Sequence, residues 1–403
     1  MIQKAKSIFS RWNNITILQI IFFFSSLYFY TPVLTLYFQK LGLTLWQITS
    51  LESLLLAGII LFQIPSGIFA DKYGRKKAII FAFFLIFLAE LLFFFARDFW
   101  IFVVISFISG AGIAFYSGAV EALIYDSLKL IRQEKQMKKA SGRVFSMYAL
   151  AAVIAAPLGG YLAKDLSIEQ VSILIILTAS TSAIAFALTF FIQEPLHSRR
   201  FEDDVTKLNP KTLQGAFNIL KNNPSLRRII ALQTLSVPFV FYLLILYPPY
   251  ATKLGVRPVY LGIILALASS ADFICSRYAY KLEGLLGVSR STILITILPA
   301  ICYFLFATLS NPLIASLLFI TIYAVHGSRD PIFIDYLNLH IDSEQRATVL
   351  SVIGVISTIY LALMGSFIGL LAEYSISYAF IFMGGIILIS SVFFRINKKH
   401  ISV

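Results

Sequence analysis

The chain has 403 residues, 59% of them hydrophobic and 13% charged, about half the charged share of an ordinary soluble domain, roughly 25%. This balance excludes a soluble globular protein and defines an integral membrane protein. The net charge of +13 does not point to nucleic acid, because the cations fall in alternate short loops between apolar runs. They report topology, and anionic lipid headgroups are their natural counter-charge.

A membrane-crossing helix needs roughly 20 apolar residues. The hydropathy pattern predicts twelve spans, at 15–38, 45–69, 77–96, 99–127, 142–163, 168–192, 228–250, 258–281, 289–309, 312–336, 347–371 and 376–395. Lys4, Lys6 and Arg11 place the N-terminus in the cytoplasm. The same side then receives Lys72 to Lys77, Lys129 to Arg143, Arg199 to Arg228, Arg277 to Arg290 and Arg395 to Lys399. The opposite side holds little more than Lys40, Arg97, Lys164, Lys253 and Arg257. Both termini are therefore expected to be cytoplasmic, and the short loops suggest a prokaryotic plasma membrane. The first apolar run is too long for a signal-peptide core and no small-residue cleavage site follows it, so it reads as a retained helix. Cys275 and Cys302 lie inside apolar runs and imply neither a disulfide nor a metal site.

Between the second and third spans lies Gly67-Ile-Phe-Ala-Asp71-Lys72-Tyr-Gly74-Arg75-Lys76-Lys77. Gly67 is expected to let two helices approach closely and Gly74 to allow a tight reversal. Asp71 is expected to cap the next helix or pair with a nearby arginine. The stretch matches G-x-x-x-D-x-x-G-R-[RK]-[RK] in full and resembles the loop between helices 2 and 3 of the major facilitator superfamily. That resemblance implies an all-α polytopic fold of twelve helices in two pseudo-symmetric six-helix halves, with the substrate site between them. The halves would be residues 1–195 and 228–403, joined by a cytoplasmic linker at 196–227 that carries Pro195, Pro210 and Pro224. Within it, 212–220 could lie on the membrane surface as a short amphipathic helix.

The halves echo each other weakly. Tyr37 to Gly42 resembles Tyr250 to Gly255 at an offset of 213, and Ser117 to Asp126 resembles His326 to Asp335 at an offset of 209. A worn second copy of the loop motif runs from Tyr280 to Gly287.

Ionisable residues inside spans are expensive and are functional candidates by default. The fourth span carries Ser117, Glu121 and Tyr125 at i, i+4 and i+8, one polar stripe on an apolar helix, with Asp126 near the inner mouth. The tenth carries His326, Arg329 and Asp330 on one face. Glu121 and Asp126 are expected to carry protons or pair with a substrate cation. Arg329 is expected to pair with Asp330 or Glu121 and close a cytoplasmic gate. Glu52 and Asp272 are further candidates, with Asp272 able to pair with Arg277. Glu90, in the Phe-rich third span, reads as peripheral and snorkelling.

The fifth span reads Ala152-Val-Ile-Ala-Ala156-Pro157-Leu-Gly159-Gly160. It partly resembles the helix-5 motif of drug/proton exchangers, G-x3-G-P-x2-G-G, with Ala152 and Ala156 in place of glycines. Arg346 opens the eleventh span, and the family's gating scheme makes it an anchor for the basic loop. Aromatics make up 15% of the chain, which suits a pocket for amphipathic or cationic molecules, although most must be packing or lipid-facing. No phosphate-binding loop, nucleophile–base set or metal cluster is present, so neither enzymatic activity nor a cofactor is expected. The sequence reads as a monomeric, proton-coupled exporter of amphipathic small molecules. The alternatives are a nutrient uptake permease for a sugar or carboxylate, and a non-transporting receptor.

Overall fold

The computed structural model describes residues 14–194, 223–236, 239–341 and 346–396. The helices are α1 (Asn14–Ser25), α2 (Leu34–Lys40), α3 (Leu45–Tyr73), α4 (Arg75–Phe95), α5 (Phe99–Leu130), α6 (Met137–Leu162), α7 (Ile168–Thr189) and α8 (Pro224–Ser236). They continue as α9 (Phe239–Lys253), α10 (Pro258–Arg277), α11 (Ala279–Leu286), α12 (Val288–Thr308), α13 (Pro312–Leu339), α14 (Arg346–Tyr374) and α15 (Ile376–Phe393). Among the described residues, 11 helical segments are long and apolar enough to cross a bilayer. An all-helical architecture is what hydrocarbon demands, since each backbone polar group must find a partner within its own segment.

The first predicted span is the exception. It divides into α1, an irregular stretch, a 3-10 turn at Thr31–Val33, and α2. Pro32 explains the break: it has no N–H, and its ring disfavours helical geometry in the residue before it. The loosened backbone is served by neighbours. The Phe29 N–H donates to Thr178 Oγ1 at 3.2 Å. The Phe29 carbonyl lies against Gly159 of α6, where an added Cβ would stand 1.7 Å from the oxygen.

The repeat expected from the sequence is present in backbone geometry. Gly42 and Gly255 have φ of 87° and 92° and close the same turn after α2 and α9. Gly74 and Gly287 have φ of 98° and 74° and precede α4 and α12. Both pairs are separated by 213 residues (255 − 42 and 287 − 74). Only glycine adopts such positive φ without strain, which is why these positions persist where the side chains have drifted. Polar side chains start several helices. Asp98 accepts from the Trp100 N–H, Ser167 and Gln170 form a capping box on α7, and Asn311 accepts from Leu313 and Ile314 N–H.

By contacts the chain falls into two compact units. One holds the described residues up to Val33 and from Leu54 to Glu194; the other holds Leu34–Ser53 and the described residues from 223 onward. The chain thus passes between units at Val33/Leu34 and at Ser53/Leu54. The first unit is built on Ile17, Leu18, Phe83, Val120, Leu123 and Val144, from α1, α4, α5 and α6. The second is built on Leu226, Ile229, Ile295, Phe333, Tyr336 and Val349, from α8, α12, α13 and α14. The linker expected at 196–227, with its surface helix, lies mostly outside the described residues.

Gly67 corrects one expectation. A Cβ there would meet nothing within 4 Å, so it is not a site of close helix approach. Gly110 against the Leu55 carbonyl, Gly159 against Phe29 and Gly327 against the Asp272 carbonyl are such sites. Gly159→Val should therefore lower stability by about 1–3 kcal/mol through overpacking. Gly67→Ala, inside α3, should be neutral or stabilising by up to about 1 kcal/mol. Thermal unfolding of the two purified variants in detergent checks the contrast.

Candidate functional site

The basic loop is held from outside the motif. Gly74 leaves the first amides of α4 pointing outward, the usual anion-binding end of a helix. Glu194, just after α7, fills it: its carboxylate accepts from the N–H of Arg75 at 3.0 Å and of Lys76 at 2.7 Å. Lys76 Nζ donates to the Phe190 carbonyl at 2.9 Å. Arg75 forms an ion pair with Asp126 of α5 and donates to the Ala122 carbonyl at 2.7 Å. Asn14 completes the arrangement. Its amide donates to Ser127 Oγ and the Gln193 carbonyl, and its own oxygen accepts from Gln193 N–H, each at 2.9 Å.

These contacts correct the reading of Asp71. It does not cap α4, whose N-terminus is taken by Glu194, and Arg75 forms its ion pair with Asp126, while Asp71 acts on the guanidinium from longer range. Asp71 is exposed and still within α3, and Lys77 is exposed. Asp126 itself is buried and engaged by a guanidinium, a poor situation for a group that must exchange protons freely. Glu194 was missed because the sequence places it at the start of a polar linker. Its signal was an acid at the end of a span on the same side as the exposed helix start.

On α5 the polar stripe stands apart from the core. Ser117, Glu121 and Tyr125 are exposed, while Ala119, Val120, Leu123 and Ile124 between them are buried. The helix therefore presents a polar, acidic face that the first unit leaves open.

In the second unit, Asp272 of α10 and His326 of α13 are hydrogen-bonded, Oδ1 to Nδ1, at 3.0 Å. Asp272 is thus engaged by His326 and not, as expected, by Arg277, which is exposed. The two helices meet so closely at Gly327 that no larger residue fits. Arg329 is 4% exposed. It donates to the Leu232 and Gln233 carbonyls at 3.3 and 3.5 Å and to Ser236 Oγ, and its guanidinium lies 5.3 Å from the Phe333 ring. These polar contacts are on α8, near its C-terminal end, where the Ser236 hydroxyl also donates to the Leu232 carbonyl. The side chains of Asp330 and Arg346 lie outside the described residues. Glu52 is half-buried in the first turns of α3. There Ser50 and Ser366 Oγ lie 3.3 Å apart and Gly369 packs on Thr49.

Ala156, Gly159 and Gly160 of the fifth-span motif are buried and Pro157 lies inside α6. The motif seats the break in the first span. Glu90 is the other departure from expectation. It is 7% exposed, and both its oxygens accept from Tyr30 Oη, at 2.8 and 3.0 Å. It is neither peripheral nor snorkelling.

Apolar crossing helices arranged as a repeat, with charged side chains held inside the helical layer, are the architecture of a secondary membrane transporter. The chain belongs to the major facilitator superfamily: the model of the Major Facilitator Superfamily matches residues 16–363. An uncharacterized transporter of Buchnera aphidicola subsp. Schizaphis graminum is 37% identical over 101 residues, a quarter of this chain and a quarter of that protein. A mutant form of the nucleoside transporter NupG has the same fold, with a TM-score of 0.78 at 13% identity, covering 95% of this chain and 99% of that one. A bacterial homologue of the human lysosomal transporter Spinster gives 0.75 at 15% identity, covering 96% and 97%. The D-xylose–proton symporter gives 0.69 at 13%, covering 94% and 95%. At these identities the structures speak to fold alone.

The Arg75–Asp126 pair is testable by a double-mutant cycle. Arg75→Gln alone should cost about 3 kcal/mol by stranding a buried carboxylate. Adding Asp126→Asn should recover part of it, with a coupling of at least about 0.5 kcal/mol in thermal unfolding of the purified protein.

Proposed function

We propose that the chain is a proton-coupled exporter of amphipathic small molecules, working by alternating access in a prokaryotic plasma membrane with both termini in the cytoplasm. The observation that carries this reading is the open stripe of Ser117, Glu121 and Tyr125 on an otherwise apolar helix. A hydroxyl, a carboxylate and a phenol on one exposed face offer a counter-charge and a stacking surface to a lipophilic cation. The proline and glycines of α6, in a pattern similar to that of drug/proton exchangers, favour export over uptake. In this reading the protein acts as a monomer whose two six-helix halves, 1–195 and 228–403, rock about the linker. Glu121 meets the cationic end of the substrate or carries a proton. Arg75 with Asp126, and Arg329 on α8, are structural parts of the gate, with Asp71, Lys76, Lys77 and Arg346 around it. Glu52, Asp272 and Asp330 are secondary candidates for coupling.

Proteoliposomes with an imposed pH gradient and a panel of labelled lipophilic cations and neutral amphiphiles test it. Gradient-driven flux is expected in the wild type. Glu121→Gln should slow the cations by about tenfold or more, equivalent to roughly 1.4 kcal/mol, and affect neutral compounds less. Flux indifferent to the pH gradient for every compound would remove proton coupling, and equal loss for cationic and neutral compounds would remove Glu121 as the counter-charge.

A further inference from the structure

We propose that Glu90, held by Tyr30 at the break of the first span, takes up and releases the coupling proton, leaving Glu121 as the counter-charge to the substrate. This rests on the reading of the protein as a proton-coupled transporter and assigns the coupling site within it.

Three features single out Glu90. It is buried in the last turns of an apolar helix, among Phe and Tyr rings: Tyr30 and Phe93 lie 5.1 Å apart and Phe93 and Phe102 5.6 Å. Its hydrogen bonds among the described residues come from one donor, the Tyr30 hydroxyl, shared between both oxygens. Among the described residues no cation forms an ion pair with it. The ionisable groups facing it are Tyr30 and, further off, Tyr28. On the helices packed along α4, the nearby carboxylates are turned elsewhere: Asp98 of α5 accepts from the Trp100 N–H, and Glu169 is exposed at the start of α7. Arg75 is paired with Asp126, and His326 with Asp272. Asp126 is therefore already neutralised by a neighbour, and Glu90 is not.

A carboxylate in such a place needs a cation brought to it. A metal ion does not suit the site, because a hard cation takes six or more oxygen ligands, and the polar groups hydrogen-bonded here among the described residues are one carboxylate and one phenol. A proton requires no such cage. As the carboxylate gains a proton it becomes a donor itself, and the bond with Tyr30 can reverse, from Tyr Oη–H to carboxylate into acid O–H to Tyr Oη. When the acid loses that proton to water, Tyr30 donates again.

The position gives this exchange a lever. Tyr30 sits immediately before the 3-10 turn Thr31–Val33, and the chain leaves the first unit at Val33. The same break is seated by Gly159 and by Thr178. Glu90 thus holds a side chain three residues before the chain crosses between units, and its protonation state acts on that joint.

Infrared difference spectra of the purified full-length protein between high and low pH test the site without any substrate. The wild type should show a carboxylic-acid C=O band that titrates, and Glu90→Gln should lack it. Tyr30→Phe should keep the band but shift its frequency, because the hydroxyl bonded to the carboxyl group is gone. In proteoliposomes Glu90→Gln should lose gradient-driven accumulation while retaining substrate counterflow, which also shows that the variant is folded. A difference band identical in wild type and Glu90→Gln would overturn the proposal whatever the transport data show. If Glu90→Gln does not fold, an unaltered band in Tyr30→Phe overturns it. A titrating Glu90 band alongside wild-type flux indifferent to pH would instead refute proton-coupled transport while leaving Glu90 as a proton-exchanging residue.

Discussion

Inside a bilayer, an unpaired peptide group has no water to turn to, and the break in the first span has to meet that constraint with side chains and backbone from other helices. Three helices converge on residues 29–30. Thr178 of α7 accepts the Phe29 N–H, Gly159 of α6 comes up against the Phe29 carbonyl, and Glu90 of α4 accepts from the Tyr30 hydroxyl. The aromatic packing of Tyr28, Tyr30 and Phe93 closes the same region from water.

The second organising device is electrostatic and lies at the other end of α4. The Gly74 turn exposes a helix N-terminus, and Glu194 caps it from the far end of the first unit's sequence. With Arg75 on Asp126 and Asn14 on Ser127 and Gln193, the ends of α1, α4, α5 and α7 are tied into one network. Networks of this kind are costly to leave half-satisfied. The basic loop is consequently a fixed structure, not a loose tether that happens to be positive.

Much of this was legible in the sequence, for physical reasons. Spans are set by hydropathy and length, which is why, among the described residues, eleven of the predicted twelve appear as helical segments long enough to cross. Gly74 was legible because a reversal between two helices calls for positive φ. The stripe on α5 followed from helical spacing. Partners were not legible. Whether an acid such as Asp71, Asp126 or Glu194 meets Arg75 depends on which helix ends lie together, and a single sequence carries no such distances. Asp272 was assigned to Arg277 because they are close along one helix, whereas Gly327 brings His326 closer across two. Glu90 was misplaced because a Phe-rich helix looks lipid-facing. The aromatic rings instead pack a buried acid, a distinction of rotation about the helix axis that composition does not record. Gly67 shows the reverse error, a small residue with open space around it.

The equal spacing of the positive-φ glycines has a consequence for how the two repeats have aged. At the shared offset of 213, Gly74 is matched by Gly287, but Asp71 is matched by Gly284, Arg75 by Val288 and Lys76 by Ser289. The hinge has survived and the charge lock around it has not. Backbone conformation tolerates few substitutes, so it is inherited nearly unchanged, while charged partners are lost as soon as one repeat no longer needs them. The molecule is symmetric in its joints and asymmetric in its fastenings.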